Sequence, residues 1–148
     1  MKTILFPTRG GQTSYPNQDA VIALAKEWNA KLIFLYISNV HFLEKLGHVR
    51  HTTVVQDELE DMGEFLLVMA CERAEKAGWK AKMIVRQGSF MEAVHDVISE
   101  HQVDTFVIGA PGSTHAVTTT DFLQSLIQEI REAHHLEVLV VQDGEMID

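Results

Sequence analysis

Alternation between apolar segments and amphipathic helical segments constrains the fold of this chain more than any other feature. The first two apolar segments are apolar almost throughout, which is typical of strands buried on both faces of a parallel sheet. Between the apolar segments, hydrophobic residues recur at helical spacing. The predicted strands are residues 2–6, 31–37, 80–86, 105–109 and 137–141.

Five strands connected by helices predict a doubly wound, three-layer α/β sandwich. We expect a five-stranded, mostly parallel sheet with right-handed crossovers, because neighbouring parallel strands need a long connection that a helix supplies. At 148 residues, the chain has the length of one domain, which we assign to residues 1–148.

The boundaries and faces of the helices follow from the same pattern. We expect Asn17 to cap the first helix, because its side chain can accept a hydrogen bond from a free backbone N–H group. A second helix is predicted over residues 54–77, and two more over residues 89–101 and 121–134. The apolar residues expected to share the sheet-facing side of the second helix are Leu59, Met62, Phe65, Leu66, Met69 and Ala74.

Acidic residues outnumber basic ones by 21 to 12, which gives the chain a net charge of −9. A surface of this sign repels a phosphate backbone, so no nucleic-acid partner is expected. In residues 101–148, Arg131 is the sole lysine or arginine. A phosphate bound there would depend on backbone N–H groups, on hydroxyls and on the N-terminal loop, where Arg9 is the candidate cation.

Composition also bears on the compartment of the protein. No apolar run approaches the roughly 18 residues of a membrane-spanning helix, and the N-terminus does not have the pattern of a signal peptide. We therefore expect a cytoplasmic protein that does not engage a membrane. The single cysteine, Cys71, cannot form an intramolecular disulfide, and its place in a helical pattern favours a structural thiol.

The fourth predicted strand runs directly into the turn Gly109-Ala110-Pro111-Gly112 and two hydroxyl residues, Ser113 and Thr114. Glycines without a Cβ allow backbone N–H groups to come close to an anion, and a following helix adds its positive end. Glycines after a strand also serve as simple turn residues. The pattern therefore allows either a phosphate site or a plain turn.

Four stretches of the chain together resemble the universal stress protein family. They are residues 2–8, which end in Pro7-Thr8 before Gly10, and residues 85–89, 103–109 and 138–141. The resemblance covers essentially the whole length. It implies a Rossmann-like fold of the adenine nucleotide alpha hydrolase type and a role in the stress response. It also implies a crevice between the first and fourth strands, where nucleotide-binding members hold ATP.

The chain departs from the nucleotide-binding members of that family at two positions. Arg9 stands where they carry an acidic residue, and Gln124-Ser125 stands where they carry a glycine followed by a hydroxyl residue. The side chain of Gln124 would occupy space that backbone needs in order to approach a phosphate. The candidate ligand residues implied here are Thr8, Arg9, Gly10, Gly109, Gly112, Ser113, Thr114 and Ser125. Thr119 or Thr120 is expected to cap the last helix.

Two hypotheses for the function follow. One is a stress-response module with a degenerate nucleotide site that works through dimerisation and partner contacts. The other is a sensor that binds ATP, AMP or another small anion in the crevice. We expect no enzyme, because no nucleophile, base and oxyanion site occur together. The eight histidines lack metal-ligand spacing, so no metal site is expected.

The resemblance also implies a homodimer. The last predicted strand contains Val138, Leu139, Val140 and Val141, and we expect it to form an exposed, apolar edge strand. An edge of this kind invites pairing with another strand. In the family, two such strands pair in antiparallel fashion across a two-fold axis.

Overall fold

The computed structural model describes residues 2–8, 14–38, 52–110 and 116–147. Strands and helices alternate along the chain, as the sequence predicts. The elements are β1 (Thr3–Pro7), α1 (Tyr15–Trp28), β2 (Lys31–Ser38), α2 (Thr52–Lys76), β3 (Ala81–Gln87), α3 (Phe90–His101), β4 (Thr105–Gly109), α4 (Ala116–His134), β5 (Glu137–Gln142) and β6 (Glu145–Met146).

The strands form a single sheet in the order β3-β2-β1-β4-β5-β6. All neighbours are parallel except β5 and β6. β1 lies in the interior, where Ile4 is in register with Leu32 on one side and with Thr105 on the other. The predicted doubly wound α/β fold is confirmed. The predicted strand count of five is corrected to six.

The additional strand, β6, arises from a tight turn at Asp143-Gly144. Both residues have positive φ, 50° and 85° respectively, which is the backbone of a type I′ hairpin turn and the reason that Asp-Gly favours it. The turn folds β6 back against β5, and the N–H of Ile147 donates to the carbonyl of Val140 at 2.8 Å. The expectation of a fully exposed edge at Val138 to Val141 is therefore wrong.

Two hydrophobic cores lie on opposite faces of the sheet because side chains alternate along each strand. Ile4 and Phe6 of β1 face α1 and α2, whereas Leu5 faces α3 and α4. Phe34 of β2 and Phe106 of β4 are fully buried, one in each core. Burying a side chain of this size contributes about 1.5–3 kcal/mol.

α1 begins three residues earlier than the sequence analysis predicts. Ser14 occupies the N-cap position and Pro16 lies in the first turn, where its missing N–H group is not needed. Asn17 is inside the helix, so the prediction that it caps the helix is wrong. Asn29 ends α1 in the left-handed conformation, and the N–H of Ala30 donates to the carbonyl of Ala25.

α2 packs on the sheet with a face that matches the predicted one only in part. Among its described side chains, those of Leu67, Ala70 and the predicted Ala74 are buried together with Gly63, whereas Met62 and Phe65 are 54% and 63% exposed. The predicted Leu66 and Met69 are half-buried, and the side chain of Leu59 lies outside the described residues. Small residues occupy most of the sheet-facing side of α2, because they allow the helix axis to approach the sheet closely. Among the described residues, no helix is long and apolar enough to cross a membrane, including the 25 residues of α2.

Cys71 is half-buried where α2 meets β3. Its Sγ lies 3.7 Å from the carbonyl oxygen of Ala81, and burial raises the pKa of the thiol. The thiol therefore stays protonated at neutral pH and packs as a small side chain. This environment agrees with the structural role predicted from the sequence.

His95 of α3 and His134 of α4 connect two helices on the same face of the sheet. His95 Nδ1 lies 2.6 Å from His134 Nε2, and His95 Nε2 lies 3.2 Å from a carboxylate oxygen of Glu129. A hydrogen bond between two imidazoles needs one ring nitrogen without a proton. Desolvation, followed by the charge of His95, lowers the pKa of His134.

We expect Gly63→Ala to destabilise the protein, although alanine favours a helix by about 1 kcal/mol over glycine. A Cβ at this position would overlap the ring of Tyr36, and overpacking of this kind costs about 1–3 kcal/mol. Urea unfolding measures the difference. The loss should shrink in a Tyr36→Val background; an unchanged loss there would show that ring overlap is not the cause.

The histidine pair should make stability depend on pH. Because the pKa of His134 is lower in the folded protein, the unfolded chain binds the proton more tightly. The contribution of neutral His134 to the stability of the folded protein is therefore fully present above about pH 6.5, and it is lost as the pH falls below that value. Urea unfolding between pH 5 and pH 7.5 should show this loss in the wild type, and His134→Gln should reduce it. His101→Gln, which alters a histidine outside the pair, should retain the wild-type profile.

Candidate functional site

The carboxyl ends of β1 and β4 lie side by side at the centre of the sheet. Thr8 follows β1, and its N–H donates to the carbonyl of Leu35 at 2.9 Å. Gly109 ends β4, and the N–H of Ala110 donates to the carbonyl of Val141 at 2.8 Å. Because α1 and α4 leave these strands toward opposite faces, a crevice forms between them. Doubly wound folds bind ligands at this switch point.

A buried glutamine borders the crevice from α1. Gln18 is fully buried, and its Nε2 donates to the hydroxyl oxygen of Thr8 at 3.1 Å. The other amide atom, Oε1, has no hydrogen-bond partner among the described residues. A buried polar atom of this kind costs about 1–3 kcal/mol when it is unsatisfied. Gln18 therefore offers an acceptor at the floor of the crevice.

Ser38 provides a second polar group without a partner at the same edge of the sheet. It ends β2, is 3% exposed, and its hydroxyl has no hydrogen-bond partner within the described ranges. β2 is the neighbour of β1. Together with Gln18 Oε1, it makes two buried, unsatisfied polar atoms near this edge of the sheet. Such atoms are uncommon in a native structure, and a bound water or ligand is a usual explanation.

Asn17 lies between the end of β4 and the turn at Asp143-Gly144. Its Oδ1 accepts a hydrogen bond from the N–H of Gly144 at 2.8 Å. Its Nδ2 would lie 3.4 Å from a Cβ built on Gly109. A side chain at position 109 would therefore be in van der Waals contact with Asn17 beside the strand end.

The structure brings together two of the predicted ligand residues, Thr8 and Gly109. Ser125 is exposed on α4, next to the exposed Gln124. The other predicted ligand residues lie outside the described residues: Arg9, Gly10, Gly112, Ser113 and Thr114.

The prediction that Thr119 or Thr120 caps the last helix is wrong. α4 begins at Ala116, so both residues lie within the helix rather than before it. The apolar repeat becomes clear only from residue 121, whereas the backbone is already helical at Ala116, five residues earlier.

Sequence reasoning missed Asn17, Gln18 and Ser38 as site residues. A signal for Gln18 exists in the sequence, because it precedes Val21, Ile22 and Ala25 by three, four and seven residues. That spacing places a polar side chain on the buried stripe of the helix. No comparable signal distinguishes Ser38 from any hydroxyl residue at a strand end.

The described part of the crevice is suited to hydrogen bonding rather than to covalent chemistry. It presents a hydroxyl, two side-chain amides and backbone groups, which can orient a polar ligand. Within the ranges that the structure describes, no three histidine, cysteine, aspartate or glutamate side chains are placed to hold a metal ion.

Comparison with known proteins places this architecture among relatives. The family model described as "Universal stress protein family" matches residues 1–142. A universal stress protein of Methanocaldococcus jannaschii is 24% identical over 141 residues, covering 95% of this chain and 82% of the relative.

Two solved structures share the fold and carry nucleotides in their own crystals. A universal stress protein in complex with cAMP is 23% identical, with a TM-score of 0.67 and coverage of 95% of this chain and 96% of the other. A family member from Arabidopsis thaliana with AMP bound is 12% identical, with a TM-score of 0.59 and coverage of 96% and 92%. At these identities, the similarity shows the fold alone.

The Thr8–Gln18 hydrogen bond can be tested by removing one partner and then both. Thr8→Val leaves the buried Nε2 of Gln18 without its acceptor, and we expect a loss of about 1–3 kcal/mol in unfolding free energy. Replacing both residues, as Thr8→Val with Gln18→Leu, should cost less than the sum of the single changes, because no stranded amide remains. Additive losses would contradict the pairing.

Proposed function

The chain belongs to the universal stress protein family, and we propose that it is a stress-response binding module without catalytic activity. In this proposal, the crevice between β1 and β4 takes an adenine mononucleotide in preference to ATP. The observation that carries it is the pair of buried, unsatisfied polar atoms, Gln18 Oε1 on α1 beside Thr8 and Ser38 Oγ at the carboxyl end of β2.

The polar groups at the floor of the crevice, together with the apolar residues around them, support a ligand that has both hydrogen-bonding edges and an apolar face. Gln18 Oε1 is an acceptor that an exocyclic amine of a base could satisfy, and the Ser38 hydroxyl can both donate and accept. The surrounding strand ends are apolar, with Phe6 and Leu35 buried beside them. A flat base with a few hydrogen-bonding edges suits such an environment better than a fully solvated ion does.

The small number of positive charges near the crevice and the limited space for backbone contacts support a ligand with one phosphate rather than three. The last third of the chain contains one basic residue, Arg131, and its guanidinium donates to the carbonyl of Val138. Arg9 is the candidate cation near the crevice, and an arginine can bind one phosphate bidentately. Gln124 stands where the family resemblance implies a glycine, and its side chain would hinder the close backbone approach that a triphosphate needs. The relatives with cAMP and with AMP also carry a single phosphate each.

A second candidate function is a module that binds no nucleotide and acts through homodimerisation and partner contacts. The two departures from the family pattern, Arg9 and Gln124, favour it. In this case the crevice is a degenerate remnant, and the unsatisfied atoms are met by water. The two candidates differ in one measurable property, the affinity for nucleotides.

Isothermal titration with AMP, cAMP and ATP tests the proposal. We expect AMP or cAMP to bind at least about tenfold more tightly than ATP, a difference of about 1.4 kcal/mol. Arg9→Ala should weaken mononucleotide binding about tenfold or more, because it removes a charge-assisted contact. Gly112→Val should weaken it by blocking the backbone.

Lys82→Ala is the matched control, since it removes one positive charge from the exposed, amino-terminal part of β3 and should leave affinity unchanged. Absence of binding by all three nucleotides would favour the second candidate. Retained affinity in both Arg9→Ala and Gly112→Val would reject the crevice as the ligand site.

A further inference from the structure

The solvent side of α2 carries three apolar residues that the fold does not bury. Met62, Phe65 and Val68 are 54%, 63% and 41% exposed. Residues three apart on a helix are neighbours, with Cβ atoms about 5–6 Å apart, so these side chains form one continuous row, which we call the apolar ridge. We propose that the apolar ridge docks a basic amphipathic helix of another protein. This inference does not depend on what the crevice binds.

Two contacts fix how α2 lies on the sheet. Cys71 Sγ is 3.7 Å from the carbonyl oxygen of Ala81, which begins β3. Gly63, earlier in α2, packs against the ring of Tyr36, and Tyr36 is in register with Val85, near the end of β3. α2 therefore runs antiparallel to β3.

The exposed apolar surface continues from the apolar ridge onto the edge of the sheet. Going back three residues from Cys71 reaches Val68, about 4.5 Å along the helix. Going forward two residues from Ala81 reaches Met83, about 6.6 Å along the strand in the same direction. Met83 is in register with Phe34, on the side of the sheet that α2 covers, and it is 39% exposed on the edge strand. Val68 and Met83 therefore lie side by side.

Carboxylates flank the apolar ridge. Glu58, Asp61 and Glu64 each precede one of its residues by four positions, and Glu72 follows Val68 by four. Residues four apart on a helix are neighbours, and all four carboxylates are exposed. Within the part of the chain that the structure describes, none of the four takes part in a salt bridge. Their charge is therefore available to a partner.

The spacing of the apolar ridge fits a second helix. Residues that repeat every three positions form one of the ridges of a helix surface, and such a ridge packs into the groove of another helix. A partner helix would place its apolar stripe over Phe65 at the centre and its lysine or arginine side chains over the flanking carboxylates. An aromatic residue at the centre of a contact contributes most of the binding energy in many interfaces.

The sign of the charge distinguishes this partner from two other occupants. A second copy of the chain would bring the same carboxylates face to face across a two-fold axis, where like charges repel. A membrane surface with anionic lipids would be repelled in the same way. A basic helix is instead attracted by four carboxylates around an apolar contact. The charge pattern therefore favours a basic partner.

A synthetic peptide tests the proposal on the full chain. The probe is a helical peptide of about 18 residues, with leucines at positions i, i+3, i+4 and i+7 and lysines on its other faces. One control peptide has the same composition with its leucines distributed around the helix, and a second has glutamate in place of lysine. Fluorescence anisotropy of the labelled peptides measures the dissociation constants. We expect the basic amphipathic peptide to bind at least about tenfold more tightly than either control.

An apolar substitution locates the binding surface. Phe65→Ala should weaken peptide binding at least about tenfold, because it removes the aromatic centre of the contact. It should not lower the unfolding free energy, since the side chain is largely exposed and alanine favours a helix. Ile147→Ala is the matched control, because it shortens an apolar side chain that is 53% exposed beyond β6, at the opposite edge of the sheet. It should leave the affinity unchanged.

Charge substitutions test the carboxylates. Asp61→Asn together with Glu64→Gln should weaken binding of the basic peptide about threefold or more and should reduce its dependence on salt concentration. Asp96→Asn together with Glu132→Gln is the matched control. It neutralises two exposed carboxylates on α3 and α4, which cover the other face of the sheet, and it should change neither property.

Methionine methyl groups report where the peptide binds. Met62 and Met83 lie on the proposed surface, whereas Met91 is on α3 and Met146 is on β6. In a chain labelled with carbon-13 at these methyl groups, the basic peptide should shift the NMR signals of Met62 and Met83. The signals of Met91 and Met146 should stay unchanged.

Four results would overturn the proposal. They are equal affinity for the three peptides, unchanged affinity in Phe65→Ala, unchanged affinity in Asp61→Asn with Glu64→Gln, and methyl shifts confined to Met91 or Met146. The proposal also fails if the Met62 and Met83 signals shift with protein concentration alone, which would assign the surface to a second copy. A shift of the same signals by vesicles that contain phosphatidylserine would assign it to a membrane.

Discussion

Burial of β1 on both faces and along both edges is the constraint on which the rest of the structure depends. Ile4 and Phe6 fill one core and Leu5 fills the other, while β2 and β4 pair with the two edges. A central strand of this kind cannot face water, so helices must cover both faces of the sheet. The helices then leave β1 and β4 in opposite directions. The crevice is a direct result of that divergence.

Three consecutive residues at the start of α1 connect the elements around this crevice. Pro16 contacts the hairpin turn, Asn17 accepts from Gly144 and approaches Gly109, and Gln18 donates to Thr8. Polar side chains in the first turns of a helix can reach neighbouring backbone without interrupting the helical hydrogen bonds. One turn of helix therefore fixes both the floor of the crevice and the covered edge of the sheet.

The electrostatics of the chain are consistent with a small, singly phosphorylated ligand. The net charge is −9, so an anion must be drawn in by local groups rather than by the field of the whole protein. In the proposed function, Arg9 supplies the charge that attracts the phosphate, and Gln124 stands where the family resemblance implies a glycine. Under that proposal, both departures favour a different ligand pose from that of a triphosphate, and the buried polar atoms of Gln18 and Ser38 offer hydrogen bonds to the base.

Parts of the fold and of the candidate site could be predicted from local sequence. The apolar strands and their helical connections predicted a parallel, doubly wound sheet, and the family resemblance predicted a ligand crevice between the first and fourth strands, whose ends carry Thr8 and Gly109. The Asp143-Gly144 pair is also a local hairpin signal, because both residues tolerate the positive φ of a type I′ turn. These features are local because each depends on periodicity or on the backbone preference of a few residues.

The tertiary structure alone decided which surfaces those elements present. It turned Phe65 outward and placed Gly63 against Tyr36, where the lack of a side chain allows α2 to approach the sheet closely. It moved Asn17 from a predicted cap to a contact with Gly144, which lies 127 residues away in the chain. Contacts over such separations depend on how whole elements pack, and no local pattern encodes them.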